Sequence, residues 1–345
     1  MDFIKSLPKI ELHAHLNGSL SNATLLKLRQ LKYGDDTNID PQFYQIMDAN
    51  LTLSECFLKF KYAHDLTDSW DALKLATECM IQDFALENTI YLEIRSTPKK
   101  TVSLSKEDYL EAIIAGIESS SHAHPNTLVK LIVSVNRADG PTAAQENLEV
   151  ALKLHQKYPN IIKGMDLSGD PLKFFYRDFA QVFVDARNAG LGIAIHAAEV
   201  NEKYEDVKDI LDFGPDRIGH GTFVEESGLQ NWQTLRKKKI PVECCLTSNV
   251  KCGTVKNYED HHLKKLFQYG HPVAICTDDF GVFDTSLSQE IELTAKHINL
   301  SNWDLMKIMQ HSVDFSFASD AEKKMLHEKL DQFKKENLEV LKENI

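Results

Sequence analysis

The sequence has no CxxC pair, no low-complexity linker, no internal repeat and no apolar run long enough to span a bilayer. Each absence removes a class. The six cysteines, Cys56, Cys79, Cys244, Cys245, Cys252 and Cys276, read as reduced thiols and not as a disulfide scaffold. Without an apolar span, a membrane protein is not expected. The first residues lack a basic stretch leading into an apolar one, and the terminal "KENI" is neither a retention nor a peroxisomal address. Together these point to a cytoplasmic protein. A basic stripe is also missing: the formal charge of −12 argues against a nucleic-acid polymer or a membrane surface as partner. It leaves room for a small anionic ligand, which a few local cations can hold. Hydrophobic content of 43% and charged content of 26% are those of an ordinary globular chain. Its 345 residues would suit two average domains, but an α/β barrel reaches this size as one. A single domain over residues 1–345, acting as a monomer, is expected.

What is present is a repeated pattern. Short apolar, β-branched stretches recur as "KIELHAHL", "IYLEIRSTP", "VKLIVSVNR", "IKGMDLSGD", "LGIAIHAAE", "DRIGHGT", "IPVECCLTSN" and "PVAICTDDF". Amphipathic helical segments separate most of them. Leu110, Ile113, Ile114 and Ile117 share one helical face behind the capping pair Ser105 and Asp108. Near-continuous apolar strands are those of a buried parallel sheet, and eight β-then-α units predict a (β/α)8 TIM barrel. A doubly wound open sheet is the alternative. The barrel is favoured because nearly every stretch ends in chemically capable residues, as a site at the carboxyl ends of barrel strands requires. The long interval between the first and second strands predicts extra helices, with residues 34–50 an irregular loop. Ser319 and Glu322 form a capping box for a C-terminal helix carrying Leu326, Leu330 and Phe333.

Strand side chains alternate with period two, so His13 and His15 face the same way, into the barrel. An isolated HxH is better read as two satisfied polar histidines. The other strand ends change that reading: His196 ends the fifth stretch and Asp278 the eighth. Three imidazoles and one carboxylate suit one zinc ion, with a position left for water. Glu199, just past His196, is placed for general acid or base work without being a ligand. His220 in "RIGHGT" could orient or deprotonate a metal-bound water, and Asp279 stands beside Asp278. Taken singly, Glu199 reads as a helix-start carboxylate and Asp279 as a cap. Their coincidence with His220 at neighbouring strand ends favours a catalytic set. The adjacent Cys244 and Cys245 read as buried packing, since alternation sends them to opposite faces.

The motifs "ELHAHLNGS", "DLSGDP", "HAAE", "DRIGHGT", "CLTSN" and "ICTDDFGVF", in this order along the chain, resemble the adenosine and AMP deaminase family of zinc enzymes. "HLNGS" and "EIRSTPKK" resemble its N6-methyl-AMP deaminase branch. The resemblance implies a hydrolase that removes the 6-amino group of a purine nucleoside 5′-monophosphate, N6-methyl-AMP giving IMP and methylamine. It implies one zinc per chain on His13, His15, His196 and Asp278. Glu199 would protonate purine N1, His220 would position the attacking hydroxide and accept its proton, and Asp279 would hydrogen-bond the hydroxide and the purine edge. The backbone of Gly169 would touch the purine. His15, Asn17, His64 and the segment Ser96, Thr97, Pro98, Lys99 would hold the nucleotide, with Asn136 at a position where the branch commonly has an aspartate. Ordinary adenosine deaminases carry an aspartate where this sequence has Asn17, and a carboxylate there would repel a 5′-phosphate.

Three other readings stand beside this one. The first is an adenosine deaminase acting on the unphosphorylated nucleoside. The second is a binuclear amidohydrolase, which needs a bridging lysine that Lys163, at the wrong end of its strand, does not supply. The third is an inactive nucleotide-binding protein, which should have lost a ligand or the acid.

Overall fold

The computed structural model describes residues 3–34, 42–47 and 51–342. Its strands are β1 (Lys9–His15), β2 (Thr89–Ser96), β3 (Leu128–Asn136), β4 (Ile162–Ser168), β5 (Gly192–Ala197), β6 (Arg217–His220), β7 (Val242–Cys244) and β8 (Val273–Ile275). All pair in parallel and in sequence order. An isolated parallel bridge between Ala14 and Asp278 joins the last strand's end back to the first. The result is a (β/α)8 barrel, as the pattern of stretches predicts. The strands are buried almost throughout because helices cover their outer faces.

The helices form where capping chemistry starts them. Ser105 and Asp108 make a reciprocal capping box for Lys106–Ala123, which buries Leu110, Ile113, Ile114 and Ile117. Ser319 and Glu322 do the same for Asp320–Glu336, burying Leu326 and Leu330. Between β1 and β2 the expected extra helices are Asn22–Tyr33, Gln42–Gln45, Leu53–Leu66 and Trp70–Leu86. The interval 34–50 is therefore not all irregular: Gln42–Gln45 is helical, with Phe43 buried against Tyr62. Residues 35–41 and 48–50 of that interval lie outside the described residues. The last two strands are shorter than the sequence suggests. After Cys244 the chain turns into the helix Leu246–Lys251, so "LTSN" is a helical turn and not strand.

One end of the barrel is plugged. Phe317 lies under it, with the Arg217 guanidinium 3.9 Å from its ring centre, and a Cβ on Gly192 would come within 2.4 Å of that ring. Above the plug runs a fully buried charged layer of Glu93, Arg95, Asp166, Arg217 and Glu243. Chemistry is confined to the other, open end.

Candidate active site

β1 delivers His13 and His15 inward, β5 delivers His196, and the turn after β8 delivers Asp278. Their ligating atoms lie within 4.8 Å of one another. His13 Nε2 is 3.2 Å from His15 Nε2, which is 3.2 Å from His196 Nε2. Asp278 Oδ1 is 3.3 Å from His13 Nε2 and 3.4 Å from His15 Nε2. Four donors held tetrahedrally at zinc distances stand about 3.3 Å apart, so these spacings fit that ion. No other group of this kind occurs among the described residues.

Three of the four donors are aimed from behind. His13 Nδ1 bonds Glu243 Oε2 at 2.8 Å and His196 Nδ1 bonds Asp166 Oδ1 at 2.9 Å. A ligating histidine is normally oriented by such a carboxylate on its second nitrogen. Arg95 joins the two carboxylates, donating to Asp166 Oδ1 at 3.0 Å and to Glu243 Oε2 at 2.5 Å. Ser248 Oγ donates to Asp278 Oδ2 at 2.7 Å. None of these orienting roles was read from the sequence. The signal for Glu243 was a single carboxylate inside the apolar run "IPVECC"; its partner Arg217, donating at 2.6 Å, belongs to another strand. Cys244 and Cys245 are fully buried and outside the cluster.

The cluster floors a cavity of about 860 Å³. Its wall includes His15, Asn17, His64, Ser96, Thr97, Lys99, Asn136, Gly169, Glu199, His220 and Asp279. Pro98, expected with them, is buried behind the wall and does not line the cavity. Asn136 lines it but its Oδ1 caps the Ala138 amide at 3.0 Å, a local structural role. Gly169 has φ +89°, and a Cβ there would fall 2.1 Å from that same oxygen, so only glycine fits. Gly18 sits in the turn that follows β1, and a Cβ there would collide with the Asp279 carboxylate. The aromatic side of the cavity, Phe57, Phe60 and Phe283, was not anticipated.

Electrostatics favours proton exchange at the floor. Burial pushes the Glu199 carboxyl up. Burial and then the neighbouring Asp278 carboxylate push Asp279 well above its ordinary value. Asp279 Oδ1 is buried with no hydrogen-bond partner in the protein, which leaves it for something bound. His220 Nε2 faces Glu199 Oε2 at 3.7 Å and Asp278 Oδ2 at 3.9 Å. At the opposite wall Asn17 is held firmly, its Nδ2 donating to Thr67 Oγ1 at 2.8 Å and its Oδ1 accepting from Tyr109 at 3.3 Å. Lys99 Nζ donates to the His64 carbonyl at 3.0 Å. Burial lowers the Lys99 ammonium's pKa, against the pull of Asp65 and Asp68.

This floor of three imidazoles and a carboxylate at the mouth of a (β/α)8 barrel has the donor set of a metal-dependent hydrolase. The adenosine deaminase pattern matches residues 8–333, and the chain belongs to the adenosine deaminase family. It is a purine deaminase. An adenosine deaminase-like protein of Drosophila melanogaster is 42% identical over 327 residues, covering 93% of this chain and 94% of its own. The N6-methyl-AMP deaminase of Homo sapiens is 38% identical, covering 98% of this chain and 97% of its own. The crystal structure of Arabidopsis ADAL complexed with IMP matches with a TM-score of 0.88 at 36% identity, covering 97% and 99% of the two chains. Among the described residues no helix is long and apolar enough to cross a membrane.

Proposed function

We propose that this enzyme hydrolyses purine nucleoside 5′-monophosphates at C6, with N6-methyl-AMP and water giving IMP and methylamine. The observation that carries the phosphate is the set of lining residues Asn17, His64, Ser96, Thr97 and Lys99, which presents amide, hydroxyl, imidazole and ammonium groups. An ordinary nucleoside needs no such wall. The relative with bound IMP and the human relative named for N6-methyl-AMP support the same substrate class.

His13, His15, His196 and Asp278 would hold one zinc per chain. When bound, zinc acts as a Lewis acid that lowers the pKa of a coordinated water toward about 7. The chain's own residues supply the rest. Asp279 accepts a hydrogen bond from the attacking water through its unpartnered oxygen. Glu199, whose neutral form burial favours, gives a proton to purine N1 as C6 becomes tetrahedral. His220 faces the same point from the other side. The Gly169 backbone would lie against the purine, at a point where a Cβ would strike Asn136 Oδ1. His15 would border both the metal and the substrate. All these groups belong to one chain, and the proposal takes it as one domain over residues 1–345, a monomer in the cytoplasm with no polymer or membrane partner.

The test is product analysis with N6-methyl-AMP, AMP, N6-methyladenosine and adenosine, alongside metal content. Fast release of IMP and methylamine from N6-methyl-AMP, with slow turnover of both nucleosides, is expected. Faster turnover of adenosine would overturn the nucleotide reading in favour of the nucleoside one.

A further inference from the structure

Behind His220 lies a chain of three buried hydrogen bonds whose directions can be worked out from one end. The backbone N–H of Leu263 can only donate, and it meets His261 Nδ1 at 3.1 Å. His261 Nδ1 is therefore an acceptor, and the proton of a neutral His261 sits on Nε2. That nitrogen is 3.1 Å from Asn249 Oδ1, which accepts it. The amide then presents its Nδ2 hydrogen to His220 Nδ1 at 3.2 Å. Flipping the Asn249 amide would set its donor against the His261 donor, so its orientation is fixed by the partners and not by choice.

We infer that Asn249 and His261 are positioning residues that lock His220 in the tautomer with its proton on Nε2. The opposite face of the residue is fixed as well: the His220 carbonyl accepts from His262 Nε2 at 2.7 Å. His220 Nε2–H then points at the space bounded by Glu199 and Asp278. On the reading given above, the attacking water occupies that space. His220 donates a hydrogen bond to the water's oxygen and aims its lone pair, and it does not remove the water's proton. That proton goes to a carboxylate, with Asp279 the unpartnered one. This differs from the base role that the family resemblance implies for His220.

The test reads the tautomer directly. The zinc-loaded enzyme, labelled with 15N-histidine, is examined by long-range 1H–15N correlation, and His220 signals are identified by their loss in His220→Gln. An unprotonated Nδ1 and a protonated Nε2 are expected without any substrate, so the result is independent of phosphate preference. A proton on Nδ1 overturns the proposal. Asn249→Asp keeps the shape but can only accept, so it should move the His220 proton to Nδ1. Zinc content and the affinity for IMP should hold while kcat falls about 10²-fold or more, the scale of a misplaced catalytic-histidine proton. An unchanged kcat, or a change confined to KM, overturns it. His261→Gln restores a donor to Asn249 and should recover most of the kcat lost in His261→Leu; equal losses in the two variants count against the proposal. Should Asn249→Asp fail to fold, the wild-type tautomer alone decides.

Discussion

Asn17→Asp exchanges one atom and isolates the substrate question. Asn17 is 8% exposed, between Thr67 and Tyr109. Thr67 Oγ1 already donates its hydrogen to the Ala63 carbonyl at 2.8 Å. It can accept from the Asn17 amide but has nothing to give a carboxylate. The new oxygen would therefore face a lone pair in a buried setting, at a cost of about 1–3 kcal/mol. That cost falls on every substrate alike. A 5′-phosphate adds a second term. At about 6 Å and an effective dielectric of 20, two unit charges repel by about 3 kcal/mol, which is about 10² in rate. The ratio of kcat/KM for N6-methyl-AMP to that for N6-methyladenosine cancels the shared cost and keeps the repulsion. It should fall about 10²-fold in Asn17→Asp, while zinc content stays at the wild-type level. Lys99→Ala should move the ratio in the same direction by removing attraction. If both substrates lose equally, the phosphate does not sit against this wall and the reasoning fails.

Other perturbations test the floor of the cavity. His196→Ala should lose zinc and turnover together; a fully active variant, or one with normal metal by elemental analysis, would disprove the ligand set. Glu199→Gln should keep its zinc and bind IMP, but turn over roughly 10²-fold slower or worse; near-normal kcat would return Glu199 to a structural role. Arg95→Met leaves Asp166 and Glu243 buried without their shared guanidinium. It should cost about 3–5 kcal/mol of stability by urea unfolding and weaken zinc about 10- to 100-fold in chelator competition, and unchanged values would remove the orienting role. Burial pushes His262 down to about 4. The folded protein keeps it neutral where an unfolded chain binds a proton, so stability falls as pH drops from about 6.5 toward 4. His262→Gln should lose less on going from pH 7.5 to 5.5, and parallel unfolding midpoints would contradict this.

The barrel was legible because buried parallel strands write themselves as apolar runs and capping pairs mark the helices between them. The convergence of His13, His15, His196 and Asp278 was legible for a related reason: the first strand carries two of these side chains and the ends of the fifth and eighth bring one each, and strand ends converge in this fold. What the sequence hid were pairings between distant positions. Glu243 looks like a stray carboxylate until Arg95, 148 residues earlier, is seen against it. Asn17 looks like a turn residue until Thr67, 50 residues later, takes its amide. The ends of β7 and β8 were overread because the apolar runs before them were extended into "LTSN" and "TDD", whose Ser, Asn and Asp side chains favour turns and helix starts over strand. Pro98 was included by contiguity with Ser96, Thr97 and Lys99, and it lies past the strand end, buried and off the cavity lining.

The same geometry explains why the strained residues are where they are. Among the non-glycine residues with positive φ are His220, at 61°, and Asp278, at 62°. Such a conformation costs on the order of 1–3 kcal/mol and persists only where the surroundings enforce it. For Asp278 the enforcement is the closing seam of the barrel: its carbonyl accepts from the His15 amide at 2.9 Å, and its amide donates to the His13 carbonyl at 2.8 Å. The two backbone bonds that join the eighth strand's end to the first are thus made by three members of the ligand cluster. Turning Asp278 into the left-handed region swings its carboxylate toward His13 and His15 instead of along the strand. Barrel closure and the placement of the proposed ligand side chains therefore depend on the same backbone bonds. The seam needs the ligand residues' backbone, and the ligand geometry needs the seam.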